Sequence, residues 1–470
     1  MKVTQVAIRP TESSNAAGRP ALTPELLAAS GARYSRNNEG LEAILGKIDP
    51  ENLDRSVESI FRMIDYGHQS IADMVPVAMF LDGVSIWLAY TIWALCPTAG
   101  GQESSTRYLR LEVDALGEPE PLGIPADQAA AWRSLMAQAF QAYQEVLAYW
   151  EQVAAEDPAV TRIPGDLLRD PGPSAARTVA RMKRNYAFDR ARYFLPAAAR
   201  TNLMLLMSAR GWVSLCQHLF SHPLPEAREA AAQIREELRL AAPRMLKHAE
   251  AKASIEHGIA EEMSLWRDDA RGEASHLAPG SPDSEKPSGA WLEVMPAPGP
   301  ERFAGDLKYH DNRYAWFGAG LRRCAVRFGW EAVTMAEIRD LNRHRTGTRY
   351  CPLVPQGFYY AADQVPSPGQ RAEDLDRLRQ AAEVGRAAAA RGRELLAAGD
   401  PSYVYWTLLG TQYPFEHTTT ADKFIYEAEL RTGVGAHFRY AHQLREALEL
   451  WYARYPETRG LILEGSAEPE

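Results

Sequence analysis

Between Arg267 and Arg302 the chain loses its periodicity and turns to Pro, Gly, Ser and Asp, as in HLAPGSPDSEKPSG, and no packed core runs through such a stretch. The break divides 470 residues into two bodies of ordinary domain size, 1–266 and 303–470, joined by a connection at 267–302. Apolar residues make up 46% and charged residues 24%, a balance that lets each body bury its own core. A formal charge of -9 argues against a nucleic-acid binder, because phosphate backbones reward a broad basic face. Any anion site must therefore be local.

The four cysteines, Cys96, Cys216, Cys324 and Cys351, are far apart and show no C-x-x-C spacing. Neither a disulfide framework nor a metal site is expected, which fits a reducing compartment. Met1 to Ser14 has no basic region followed by an apolar core, so a cytoplasmic protein is expected. The stretch Met74 to Pro97, whose only charge is Asp82, is long enough to cross a bilayer. Pro76 and Gly83 divide it into a strand-like piece, 75–81, and a helix, 84–96, that is apolar on all sides. A buried core helix is the simpler reading, with no membrane partner.

Apolar spacing predicts helices over 53–66, 127–155, 204–220 and 226–240 in the first half, the last opened by Pro225. In the second half it predicts helices near 370–397, 418–429 and 440–455, after segments at 316–326 and 332–342. His68 falls in a turn after Gly67. One internal match is visible: Thr106-Arg107-Tyr108 with Leu111 against Thr348-Arg349-Tyr350 with Leu353, both reading T-R-Y-x-x-L.

The string GHQSIAD (67–73), then Gly83-Val84-Ser85, then QESSTRY (102–108) resembles the flavin-dependent thymidylate synthases. Their signature runs from G-H-x-S through G-[IV]-S to R-H-R and then E-x-S-x-R-Y. Here the first half carries uncharged residues around Ala94 to Pro97 where the R-H-R belongs, and Gln102 replaces a common Asn. FDRARYFLP (188–196) is similar to the family's A-R-x-x-L-P segment. The second half carries the missing triplet as Arg343-His344-Arg345, with a following loop too short for E-x-S. TTTADKFIYEAELRTGVGAH (418–437) is similar to a helix ending L-R-x-x-x-x-H, and the first half has Leu219 near the place of Arg431. No element like GHQS is recognisable near Tyr309 to Trp316. Each half keeps what the other has dropped.

The resemblance implies an α+β fold in two tandem domains, each a small mixed or antiparallel sheet packed with helices. It implies FAD as cofactor, dUMP as the uracil nucleotide, and NADPH and methylenetetrahydrofolate as co-substrates. It further implies a homodimer that mimics the family's homotetramer, with sites composed from both domains. By the same resemblance Glu103, Ser105, Arg107, Arg192, Arg343 and Arg431 contact nucleotide, Arg431, Arg343 and Arg107 being catalytic. Ser35, His68, Arg343, His344, Arg345 and His437 contact cofactor.

The residue types suit the chemistry. Carbon 5 of uracil becomes nucleophilic only when negative charge on the ring oxygens is stabilised, which favours fixed arginine forks over mobile lysines. Several of these residues also have a structural alternative: Arg343 to Arg349 as a solvated face or loop, Glu103 and Ser105 as caps, Arg192 and Arg210 in interhelical ion pairs, His68 as a capping or core imidazole, and Arg431 as a helix-end cation. A divergent flavoenzyme acting on another pyrimidine or one-carbon unit, and a non-catalytic flavin or nucleotide binder, stand as alternative functions.

Overall fold

The computed structural model describes residues 1–6, 22–34, 41–49, 52–65, 70–170, 172–272, 289–295, 303–366 and 371–465. Ser35, His68 and the connection at 273–288 and 296–302 lie outside the described residues. The chain is α+β and holds two four-stranded sheets of the same topology, with orders β1-β2-β4-β3 and β5-β6-β8-β7, every neighbouring pair antiparallel.

Contacts divide the chain into two units. The first contains 1–104, 121–123 and 200–262. Its sheet is built from β1 (Lys2–Val6), β2 (Pro76–Ser85), β3 (Gly100–Glu103) and β4 (Arg200–Ser208). The apolar stretch 84–96 forms helix α1 (Ile86–Leu95), buried on nearly every side as expected. It starts where Ser85 Oγ accepts from the Leu88 amide at 2.9 Å, and Glu226 holds Ser85 by both its amide and its hydroxyl. Among the described residues no helix is long and apolar enough to cross a membrane.

The helix expected over 204–220 is corrected. Residues 200–208 are strand β4, and the helix begins only after Ser208, whose hydroxyl caps it at the Gly211 amide. Burial alternates along β4, yet both faces carry Leu and Met, so the period of two is invisible in the sequence.

The second unit contains 105–120, 124–199 and 263–470. Its sheet is built from β5 (Trp291–Met295), β6 (Ala325–Thr334), β7 (Thr348–Tyr350) and β8 (Gln412–Thr420). Strand β5 lies inside the stretch read as a connection, and the indole of Trp291 lies against Gly329 of β6, where a Cβ would collide with it. Long helices of this unit are α2 (Ala129–Glu156), α3 (Pro173–Ala191) and α6 (Ala372–Ala398), with α2 packed on both others. Here α4 is the helix Ala209–Ser221 of the first unit and α5 is Met335–Leu341 of the second; α7 (Ala421–Thr432) and α8 (Phe438–Arg454) pack together beside the second sheet. Trp330, Phe328, Phe415, Phe424 and Trp451 form its buried aromatic core.

Strand register gives the correspondence between the repeats. Ser85 pairs with Arg200 and Pro76 with Ser208; Thr334 pairs with Gln412 and Ala325 with Thr420. Gln102 faces Met204 and Tyr350 faces Glu416, so Thr348 to Tyr350 correspond to Gly100 to Gln102. The two T-R-Y strings are therefore not counterparts. Thr106 to Tyr108 follow the end of β3, whereas Thr348 to Tyr350 are strand β7 itself.

The stretch before β4 and the stretch before β8 meet within the second unit. Pro196, four residues before Arg200, forms an antiparallel bridge with Leu408, four residues before Gln412. Leu409 and Gly410 donate to the carbonyls of Leu195 and Tyr193 at 2.8 and 2.7 Å.

Candidate functional site

Helix α3 ends at Ala191 and tightens into a short turn, Arg192 to Phe194, which buries the last polar residues of the helix rather than presenting them to water. Asp189 and Arg192, three residues apart, share that end of the helix. Arg192 is 2% exposed. It reaches across to α5, donating to Asp340 Oδ2 at 3.3 and 3.4 Å and to the carbonyl of Ala336 at 3.3 Å. Glu337 lies 3.6 Å from the same guanidinium and accepts from the hydroxyls of Tyr193, at 2.9 Å, and Thr334. Burial pushes the Glu337 carboxyl up, against the pull of Arg192.

Arg107 enters the cluster from the segment after β3. Its Nε and one Nη bind the two oxygens of Asp189 at 2.7 and 2.8 Å, and its other Nη donates to the carbonyl of Gly435 at 3.0 Å. Such a bidentate fork is the strongest geometry open to the pair. Gly435 has φ of +81°, a conformation that favours glycine, in the loop joining α7 to α8.

The triplet Arg343-His344-Arg345 follows α5. Arg343 has its side chain 44% exposed, with Nε 3.9 Å from Asp340 Oδ1. His344 is buried and its Nε2 accepts from Arg431 Nε at 2.7 Å, while Arg431 also donates to the Asp340 carbonyl at 2.9 Å. Burial first, and then the charge of Arg431, bring the His344 imidazole down to about 3. Arg345 is half-buried. His437 caps α8: its Nδ1 accepts from the Arg439 amide at 3.2 Å and its Nε2 donates to the Asp189 carbonyl at 3.0 Å. Both ring nitrogens are engaged, and burial with nearby Arg192 and Arg107 holds the ring well below its ordinary value.

Of the residues expected at the site, the structure thus brings together Arg107, Arg192, Arg343, His344, Arg431 and His437. Ser105 adjoins them in sequence, its Oγ accepting from the Arg107 amide at 3.1 Å, which is the capping alternative. Glu103 ends β3 in the first unit. Arg210 pairs with Asp73 at 2.9 Å, also in the first unit. Sequence reasoning missed the carboxylates Asp189, Asp340 and Glu337. The signal was present as an acid three residues before an arginine in both DRAR and DLNR.

Asp340 is the hub. Burial alone would raise its carboxyl, but Arg192, Arg343, Arg431 and Arg107 together hold it well below the usual range. The set occurs once among the described residues. By strand and helix register the counterparts of Asp340 and Glu337 on α1 are Thr91 and Leu88, those of the triplet fall in Ala94 to Pro97, and that of Arg431 is Leu219.

Residues 21–244 match the sequence model of the family described as thymidylate synthase complementing protein. That part, just under half of the chain, is similar to this family. The matched segment includes GHQSIAD, QESSTRY and the stretch around Arg192; the Arg343 triplet and Arg431 lie beyond it. UPF0159 protein Ta1429 of Thermoplasma acidophilum is 24% identical over 452 residues, spanning 87% of this chain and 88% of its own length. A UMP/dUMP methylase PolB from Streptomyces cacaoi, solved with 5-Br dUMP, is 15% identical, covering 53% of this chain and 93% of its own at a TM-score of 0.32. Thymidylate Synthase X from Helicobacter pylori, solved with FAD and dUMP, is 15% identical, covering 52% and 99% at a TM-score of 0.29.

Proposed function

We propose that the cluster around Asp340 is a nucleotide site and that the chain methylates carbon 5 of dUMP to give dTMP. FAD is the bound flavin in this reading, methylenetetrahydrofolate the one-carbon donor and NADPH the reductant. The observation that carries it is a charge imbalance. Arg107, Arg192, Arg343 and Arg431 converge on Asp340, against the carboxyls of Asp189, Asp340 and Glu337, the last of which burial pushes towards its neutral form. Guanidiniums outnumber carboxyls there, which suits an anionic phosphate monoester.

The residues present fit a flavin dinucleotide in one respect. Arg343 is half-exposed and its neighbour Asn342 is buried with an amide nitrogen that has no acceptor, so this edge of the cluster offers charge and a spare donor. Arg343 and Arg345 would hold the pyrophosphate there, and the flavin supplies hydride when bound. The chain's own contribution is positional. Arg431 keeps guanidinium donors fixed by His344 and the Asp340 carbonyl, where they stabilise charge developing on a uracil oxygen more than in bulk water. A homodimer would bring four such repeats together, the number in the family's tetramer.

The test is an absorbance spectrum of the purified chain with and without dUMP, followed by NADPH oxidation on the same sample. A flavin spectrum that dUMP perturbs, with oxidation that dUMP stimulates, supports the reading. Colourless protein that takes up no added FAD and ignores dUMP overturns it.

A further inference from the structure

Arg107 and Arg192 are both paired with an aspartate, but in different ways. Arg107 spreads two nitrogens over the two oxygens of Asp189 at 2.7 and 2.8 Å. Arg192 crowds both terminal nitrogens onto the single oxygen Oδ2 of Asp340 at 3.3 and 3.4 Å. Its bond to the Ala336 carbonyl is also 3.3 Å, and its Nε has no acceptor at all. A guanidinium has five donors, and one buried at 2% exposure with an unmade bond stands at a cost. The Asp340 carboxylate, with Glu337 a further 3.6 Å neighbour beyond hydrogen-bond reach, therefore pairs with Arg192 without filling its fork.

Arg343 also approaches the Asp340 carboxylate, its Nε 3.9 Å from Oδ1, and Arg431 acts on the same group, so its oxygens lie where an anion is favoured. We propose that Asp340 is a displaceable internal counter-anion, and that the phosphate of the nucleotide competes with it for Arg192. The proposal rests on the nucleotide reading above and adds a specificity-determining residue to it. A dianion with three oxygens fills the Arg192 fork better than one shared carboxylate oxygen and displaces it. An uncharged nucleoside has nothing to exchange for the Asp340 contact. The Arg107–Asp189 fork, complete in itself, stays closed.

The experiment is calorimetric titration of the full chain with inorganic phosphate, dUMP and deoxyuridine, on the wild type and on Asp340→Asn. Removing the competing charge is expected to tighten phosphate and dUMP by about tenfold and to leave deoxyuridine unchanged. Equal or weaker dUMP binding by the variant overturns the proposal, because Asp340 would then merely hold Arg192 in place. Equal tightening of deoxyuridine overturns it as well. Should Asp340→Asn not fold, a crystal structure of the wild type with dUMP decides. A phosphate oxygen on Arg192 with the Asp340 carboxylate withdrawn supports the proposal, and both Arg192–Asp340 bonds intact beside bound dUMP refute it. A wild type that binds neither dUMP nor phosphate removes the nucleotide reading and this proposal together, whereas a wild type that binds dUMP with no gain in the variant removes only the proposal.

Discussion

Arg107 grips Asp189 by both carboxylate oxygens, and the backbone carbonyl of the same aspartate receives the ring N–H of His437. One residue of α3 thus ties the segment after β3 to the loop before α8. With the Asp189 side chain only 3% exposed, removing its partner leaves a buried charge. Arg107→Ala is expected to cost about 3 kcal/mol of stability, read by denaturant unfolding. The double variant with Asp189→Asn should recover part of that loss. Additive losses in this cycle would mean that the two side chains act separately.

Arg431 donates both to His344 Nε2 and to the Asp340 carbonyl, so its two contacts need a planar fork. Arg431→Lys keeps the charge and loses the geometry. Turnover of dUMP is expected to fall by about 100-fold, with the melting temperature nearly unchanged. Full activity in the lysine variant would show that only the charge at this position matters.

Acid should destabilise both units. Burial brings the His222 imidazole down to about 4, and His344 lies at about 3, whereas an unfolded histidine titrates near 6.5. Below 6.5 the unfolded chain binds protons that the folded chain refuses, so stability rises with pH through this window. The contribution is complete above about 6.5 and is lost as pH falls towards the folded values. His344→Gln should lower the difference in unfolding free energy between pH 7 and pH 5. An unchanged slope in that variant would assign the effect to other groups.

The thiols should report packing rather than catalysis. Burial pushes Cys96 and Cys216 up to about 12 and Cys324 to about 11, while Cys351 is half-buried. Thiol titration of the native chain is expected to label Cys351 first and to reach Cys96 and Cys216 only on unfolding. Under the proposed function, Cys351→Ser should oxidise NADPH as the wild type does. Loss of that activity without loss of fold would contradict a flavin-based reaction that needs no cysteine.

Much of this architecture is legible in the sequence where a single device dominates. Pro225 marks the start of the helix 225–241, and the uninterrupted apolar run after Ser85 marks a buried helix. Strand β4 is not legible, because Met204 and Leu206 make its outer face as apolar as its inner one, and an alternation of like with like carries no period. The arginines of the site announce themselves through their strings. Their carboxylate partners leave only a faint local trace, an acid three residues before an arginine, since the Arg107–Asp189 and Arg192–Asp340 contacts span chain separations of 82 and 148 residues. That is information held in the fold rather than in local spacing. The repeated T-R-Y misled for the same reason: register, fixed by the Gln102–Met204 and Tyr350–Glu416 pairs, decides correspondence, and letters do not.

The bridge between Pro196 and Leu408 carries a consequence for how the site is assembled. Pro196 and Leu408 hold the same register position before β4 and β8, and they meet within one polypeptide. A contact within one polypeptide does not depend on protein concentration, so dilution does not open it. Two covalently joined partners are also free to cease being alike. Arg431 opposite Leu219, and Asp340 opposite Thr91, are differences that no dimer of identical subunits could hold, because there each substitution would appear on both sides at once.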